Sequence, residues 1–168
     1  MHREQVDFSR QLIKGKIVEM IFSQMLREAG NFTVLAFGYE NILPELVQRQ
    51  GDLNLKPTMD VVKSAPDFVV INNNTHDVHL IEVKYRREIS KEAVLEIADK
   101  IYSSWKPAHL FIATQEGFFF GKVSEIIETG GNIHAFYHPN ISKDIQAKYL
   151  HLIKEFIHVR DLENNDGD

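Results

Sequence analysis

The spacing of apolar residues predicts an alternation of helices and strands along this chain. Apolar side chains recur every three or four residues over 9–29, which indicates a helix that ends at Gly30, and the same spacing over 90–105 indicates a second helix capped by Ser90. Short β-branched and aromatic runs predict strands at 32–39, 68–71, 78–83 and 109–114. This order is typical of a mixed-sheet α/β domain flanked by helices.

The remaining segments predict smaller elements around this core. We expect a short amphipathic helix at 42–50 and a loop over 51–60, because Gly51 and Pro57 interrupt the pattern. After the apolar run 118–120, the sequence predicts a short helix at 122–128, a strand at 132–137 and a final helix at 142–158. These C-terminal elements are expected to be an addition to the core. For the three phenylalanines at 118–120, we favour a role in the core over a stacking or dimerisation surface.

Two neighbouring strands are predicted to form a β-hairpin that brings three charged residues together. If Asn72 lies opposite Asp77, a four-residue loop remains and antiparallel counting sets Asp67 opposite Glu82. Lys84 then lies on the same face, because side chains alternate along a strand. A slip of one residue would turn Asp67 to the other side of the sheet, so the prediction depends on this register.

Two carboxylates this close on a largely apolar face would resist ionisation unless a cation lay between them. Because the chain has no cysteine and the candidate ligands are oxygens, we expect Mg²⁺ or Mn²⁺ rather than Zn²⁺. The alternative is a cross-strand ion-pair cluster of Asp67, Glu82 and Lys84 on a solvated face. The apolar neighbours expected on that face favour the metal interpretation.

The first predicted helix is apolar around most of its circumference, so we expect it to be buried. It also contributes a further carboxylate. Glu19 is spaced along an apolar stripe that includes Leu12 and Phe22, where an unpaired carboxylate would be costly. The alternative is that Glu19 forms an ion pair with Lys16 or a surface arginine.

Composition is typical of one folded domain of this length. The chain has 168 residues, is 43% hydrophobic and carries a net charge of −5. We expect a single domain over 1–160 and a disordered acidic tail over 161–168, without which the charge is close to neutral. The lack of a long apolar segment or signal peptide predicts a cytoplasmic protein with no membrane association. The eight histidines match no zinc-ligand spacing.

The hairpin residues resemble the signature of the PD-(D/E)XK nucleases, the restriction-endonuclease-like superfamily. Pro66 and Asp67 open one strand, and Glu82, Val83 and Lys84 close the next. The resemblance covers mainly residues 15–113. It implies an α-β-β-β-α-β core and metal-dependent hydrolysis of phosphodiester bonds in DNA.

The resemblance also implies roles for individual residues. Glu19, Asp67, Glu82 and the backbone carbonyl of Val83 would hold one or two Mg²⁺ ions, and Lys84 would orient or deprotonate the attacking water. Gly15 would let the first helix approach the sheet. The residues that could contact phosphate are Lys100, Arg86 and Lys91, although each is also a plausible surface residue without that role.

The modest charge suggests that a protein partner delivers the nucleic acid, and relatives in this superfamily often form homodimers. Two alternatives to an enzyme remain open. One is a non-catalytic nuclease-fold module that binds nucleic acid or a protein partner, and the other is an interaction domain whose carboxylate cluster is structural.

Overall fold

The computed structural model describes residues 2–42 and 56–162. The helices in this part of the chain are α1 (His2–Ala29), α2 (Tyr39–Ile42), α3 (Lys56–Lys63), α4 (Lys91–Tyr102), α5 (Val123–Glu128) and α6 (Lys143–Leu162). The strands are β1 (Phe32–Ala36), β2 (Phe68–Asn72), β3 (Val78–Tyr85), β4 (His109–Ala113), β5 (Phe118–Lys122) and β6 (His134–Ala135). No helix within these ranges is both long and apolar enough to cross a bilayer.

The described strands form one mixed sheet in the order β1-β2-β3-β4-β5-β6. Neighbouring strands are antiparallel except for β3 and β4, which are parallel. The parallel pair follows from the connection between them, since α4 returns the chain to the end of the sheet at which β3 began. The predicted mixed-sheet α/β architecture is therefore confirmed.

Helices cover both faces of this sheet. On one face α1 and α6 pack together over the sheet, with Phe22, Val83, Phe111 and Ile153 in the shared core. On the other face α4 and α5 form a second apolar layer. The strand β4 contributes alternately to both layers and is almost completely buried, as the sequence predicts for a central strand.

Local signals at the helix ends are confirmed. The Ser90 side chain accepts a hydrogen bond from the Ala93 N–H (3.2 Å) and caps α4. Gly30, which follows α1, has a φ of 82°, a left-handed conformation that glycine adopts without steric cost. The Ser142 hydroxyl caps α6 in the same way, through the Ile145 N–H (3.2 Å).

Several expected elements differ in the structure. Residues 56–63 form the helix α3 instead of a loop, because Pro57 lies in the first turn of a helix, where its missing N–H has no cost. The first strand ends at Ala36 rather than at residue 39. The predicted helix at 42–50 and the first part of the predicted loop fall on 43–55, outside the described residues.

The prediction that α1 is buried around most of its circumference is wrong. Leu12, Ile13 and Met20 are exposed, the last at 67%, because only one side of the C-terminal half packs against the sheet and α6. The spacing over 142–158 predicts an apolar face that includes Tyr149, Ile153 and Phe156. The first two are buried in α6, but Phe156 is 54% exposed and Ile157 is buried instead.

The C-terminal elements are continuous with the core and do not form a separate layer. The strand β5 pairs with β4 along its whole length, and the α6 residues Tyr149, Ile153 and Ile157 belong to the same core cluster as α1. The phenylalanines at 118–120 fill the two cores, as the sequence favours. The helix α6 ends at Leu162, and the remainder of the predicted tail, from residue 163, lies outside the described residues.

Candidate active site

The hairpin between β2 and β3 has the predicted register. Phe68 lies opposite Ile81, and Ile71 lies opposite Val78. The Asn72 N–H donates to the Asp77 carbonyl (2.9 Å), which closes the four-residue loop. The Asn72 side-chain oxygen accepts hydrogen bonds from the N–H groups of residues 74 and 75, so one buried amide stabilises the turn.

This register brings the three charged residues of the hairpin to one face. Asp67 immediately precedes the first residue of β2, so it lies opposite Glu82, and Lys84 follows two positions along β3. The Glu82 and Lys84 positions neighbour Leu110 and Ile112 of β4, which belong to the layer beneath α4 and α5. The charged residues therefore lie at the border of an apolar layer.

Backbone groups from two other segments fix the position of Asp67. Its carboxylate oxygen Oδ2 accepts a hydrogen bond from the Val83 N–H (2.8 Å), and its carbonyl accepts from the Phe37 N–H (2.8 Å). Gly38 also donates to this carbonyl (3.3 Å). Asp67 thus lies between the end of β1 and the strand β3, held by contacts that the hydrophobic pattern of the sequence does not reveal.

The electrostatic environment of Asp67 disfavours its charged form. Burial raises the pKa of the Asp67 carboxyl from 3.8 to about 7, and the negative charge of Glu82 adds to this rise, with a smaller contribution from Glu19. The positive charge of Lys84 and the Val83 N–H act in the opposite direction but do not balance it. Around Asp67, the negative charge of the neighbouring carboxylates therefore outweighs the positive charge of Lys84, at a position that is partly shielded from water.

Lys84 forms a direct ion pair with Glu82. The Lys84 ammonium donates to the Glu82 carboxylate, and their side chains are 36% and 14% exposed. The side chain of Lys84 therefore lies at the surface end of the cluster, where it can be reached from solvent. This ion pair is the contact that the alternative interpretation, a cross-strand ion-pair cluster, predicts for Glu82.

Glu19 lies within electrostatic range of Asp67 but pairs with another residue. Its carboxylate accepts a hydrogen bond from Lys16 one turn earlier on α1 (2.9 Å), which is the alternative that the sequence left open. Gly15 does not mark a close approach, since a Cβ there would meet nothing within 4 Å. Within the described ranges, no three His, Cys, Asp or Glu side chains are grouped closely enough to hold a metal ion.

The basic residues expected to contact phosphate are on and around α4. Lys100 is exposed and donates to Glu96 (2.9 Å), as an ordinary surface lysine does. Arg86 donates to the carbonyl of Tyr85 (2.7 Å), and its charge helps to lower the pKa of Glu96, for which the hydrogen bond from Lys100 is the larger cause. Lys91 is exposed at the start of α4. Arg86 thus lies near the surface next to the Glu82 and Lys84 strand.

Sequence reasoning missed a group of histidines on the opposite face of the sheet. The rings of His79 and His109 meet edge to face (5.0 Å between centroids), and His109 stacks on Phe120. The available signal was their place on inward-facing strand positions, where a histidine is uncommon. No spacing motif marks them.

Comparisons with known proteins assign no family to this chain, since no protein-family model and no curated protein matches it.

Proposed function

We propose that this protein is a metal-dependent nuclease of the PD-(D/E)XK type, which hydrolyses phosphodiester bonds in DNA. The observation that carries the proposal is the placement of Asp67 opposite Glu82, with Lys84 on the same face two residues further along. This is the arrangement that the resemblance of the hairpin to that superfamily requires. The order of α1, three antiparallel strands, α4 and the parallel strand β4 also agrees with the core that the resemblance implies.

The charge balance at the hairpin is suited to a hard divalent cation. Burial and the charge of Glu82 raise the pKa of Asp67 to about 7, so a nearby positive charge would stabilise the ionised carboxylate. Mg²⁺ is usually held by one or two carboxylates, several waters and the phosphates of the substrate, so Asp67 and Glu82 are a sufficient protein contribution. Glu19 would join them only after its side chain leaves Lys16.

Each residue of the cluster has a distinct part in the proposed reaction. Asp67 and Glu82 would hold the cation, together with the backbone carbonyl of Val83 that the resemblance implies. When bound, the cation would offset the negative charge that develops on the phosphate oxygens and the leaving oxygen. Lys84, released from Glu82, would orient or deprotonate the water that attacks phosphorus. The bond from phosphorus to the 3′ oxygen would break in line with this attack and leave a 5′ phosphate.

Basic residues beside the cluster could contact a nucleic-acid backbone. Lys84 and Arg86 lie on and beside β3, and Lys91 is exposed at the start of the following helix. The net charge of −5 is unfavourable for tight, unassisted binding to DNA. We therefore propose that a protein partner, or a second copy of this chain, helps to place the substrate.

The test is cleavage of a mixed panel of DNA substrates in Mg²⁺ or Mn²⁺ by the wild-type protein and Lys84→Ala. Removal of a group that assists proton transfer is expected to lower the rate by roughly 100-fold or more, while metal binding measured by calorimetry persists. The matched control is Lys154→Ala, which removes an exposed lysine of α6 on the other face of the sheet and should leave the rate within about twofold. Cleavage that is equally fast in Lys84→Ala would contradict the proposed role of Lys84.

A non-catalytic nuclease-fold module is the second candidate, and one observation favours it. Lys84 is paired with Glu82 and Lys16 is paired with Glu19, so both lysine–glutamate pairs are satisfied without a metal. Metal binding without cleavage of any substrate would support this candidate. The absence of both metal binding and cleavage would support a purely structural cluster.

A further inference from the structure

A concave site lies on the other face of the sheet from Asp67 and Glu82. It is a cavity of about 390 Å³, within the range of small-molecule sites, between the sheet, the C-terminal half of α1 and the segment 136–141. Its strand residues, which include Val70, His79 and Ile81, alternate with the positions of the carboxylate cluster, so they point to the opposite layer. The cavity shares no residue with the proposed nuclease site.

The walls of this cavity are largely aromatic. Phe32, Phe120 and Phe136 line it, and Phe32 meets the ring of His138 edge to face (4.9 Å between centroids). Phe120 is supported from behind by the stacked ring of His109 (5.2 Å, 7° between planes). Several aromatic rings around one space favour a flat, unsaturated ligand.

Polar groups with opposite hydrogen-bonding characters lie along the same cavity. Asp77 accepts a hydrogen bond from the Thr75 hydroxyl through Oδ2 (2.6 Å), and a carboxylate has further acceptor capacity on Oδ1. His138 accepts from the Asn140 N–H through Nδ1 (3.2 Å), so a neutral His138 ring carries its proton on Nε2 and donates there. Asp77 and His138 therefore give the cavity an acceptor and a donor, in addition to the other polar residues that line it, Asn72, Thr75, His79 and Tyr137.

The charges around Asp77 and His138 favour a ligand group that is neutral where it contacts these two side chains. Burial, with a smaller effect of His79, lowers the pKa of His138, and burial lowers the pKa of His109 to about 4, so both rings are neutral at pH 7. The exposed carboxylate of Asp77 adds negative charge. The favoured ligand is a neutral ring that donates to a carboxylate and accepts from an imidazole N–H.

We propose that this cavity binds a nucleobase whose edge has an amino group beside an unprotonated ring nitrogen, as adenine and cytosine have. The amino group would donate to Asp77 and the ring nitrogen would accept from His138, while the aromatic side chains stack on the ring. Thymine has the reverse pattern, a ring N–H beside a carbonyl, and does not fit. The base could come from a free nucleotide or from an unpaired position of a DNA strand, and this inference goes beyond the proposed nuclease activity.

The experiment is a titration of the ¹⁵N-labelled full chain with nucleotides in the absence of divalent metal, monitored by two-dimensional NMR. Saturable shifts of the amides of Thr75, Asp77 and His138 are expected with dAMP and dCMP. Binding of dTMP should be at least about tenfold weaker, and deoxyribose 5-phosphate, which lacks a base, should not shift these amides. A short single-stranded oligo(dA) that shifts them at lower concentration than dAMP would identify a DNA strand as the source, whereas dAMP alone would identify a nucleotide.

The variant Asp77→Asn keeps the size and the turn but removes the charge, and it should weaken dAMP binding about tenfold. The matched control is Asp99→Asn, an exposed aspartate of α4 on the other side of the sheet, and it should bind as the wild type does. No shift with any nucleotide or oligonucleotide overturns the proposal. Equal shifts with dAMP, dTMP and deoxyribose 5-phosphate overturn it as well, because the base would then not be recognised.

Discussion

Replacement of the Asp67 carboxyl by an amide tests the electrostatics of the hairpin without any assumption about substrate. In the folded protein the pKa of Asp67 is raised to about 7 from 3.8, first by burial and then by the charge of Glu82. An acid with a raised pKa stays protonated in the folded state while it ionises in the unfolded state. The stability of the wild type is therefore expected to fall as the pH rises from about 4 to about 7, through this one group.

The size of the effect follows from the two pKa values. Each tenfold change in an ionisation constant is about 1.4 kcal/mol, so the difference between 3.8 and about 7 corresponds to about 4 kcal/mol above pH 7. Asp67→Asn removes this penalty but keeps an oxygen that can accept the Val83 N–H. After an allowance of about 1 kcal/mol for a weaker hydrogen bond, the variant should be more stable than the wild type by roughly 3 kcal/mol at pH 8. At pH 4, where the ionisation penalty is absent, only the weaker hydrogen bond remains and the variant should be less stable by about 1 kcal/mol.

The assay is urea unfolding, followed by circular dichroism, of both proteins at pH 4 and pH 8. With a urea dependence of about 2 kcal/mol per M, the midpoint of Asp67→Asn should rise by roughly 1.5 M relative to the wild type at pH 8. The control Asp99→Asn changes an exposed aspartate and should show no such dependence on pH. Addition of Mg²⁺ at about 100 times its dissociation constant should raise the stability of the wild type by about 2.7 kcal/mol and that of Asp67→Asn by much less.

Destabilisation of Asp67→Asn by the same amount at both pH values would contradict the raised pKa of Asp67. That result would mean that Asp67 is ionised and well solvated in the folded protein and contributes only its hydrogen bonds. A Mg²⁺ response that is equal in the two proteins would leave the electrostatic argument intact and would count against Asp67 as a metal ligand.

Two further predictions concern a glycine turn and a helix cap. Gly131→Ala should lower the free energy of unfolding by roughly 2 kcal/mol or more, because φ at Gly131 is 96° and a Cβ would lie 2.1 Å from the Lys91 carbonyl oxygen. Gly130 has a φ of 68°, and a Cβ there would meet no atom within 4 Å, so Gly130→Ala should cost only about 1 kcal/mol. Equal urea midpoints for the two variants would contradict this contact. Ser90→Ala should cost about 1 kcal/mol by the same measurement through loss of the α4 cap, and an unchanged midpoint would show that the cap adds nothing.

Features with a local cause in the chain could be predicted from the sequence. The hairpin register follows from a loop of fixed length between two β-branched runs, so the opposition of Asp67 and Glu82 was predictable from neighbouring residues alone. The cap at Ser90 and the buried stripe of α4 follow from spacing within one helix in the same way. The burial of β4 was predictable because its run of apolar residues has no polar alternation.

Features that depend on distant segments were decided only by the tertiary structure. Apolar residues lie around most of the circumference of α1, so the sequence does not reveal which side contacts the sheet. Only the packing of α1 on the sheet shows that Leu12 and Met20 are exposed and that Glu19 pairs with Lys16. The pairing of β5 with β4, which makes the C-terminal third part of the same core, is likewise a contact between strands that the local pattern does not specify. The sequence by itself determined which residues share a strand face, because that depends on a period of two along the chain. Only the packing of helices on the sheet decided how buried and how charged those faces are, because burial and electrostatic energy sum over neighbours that are far apart in sequence.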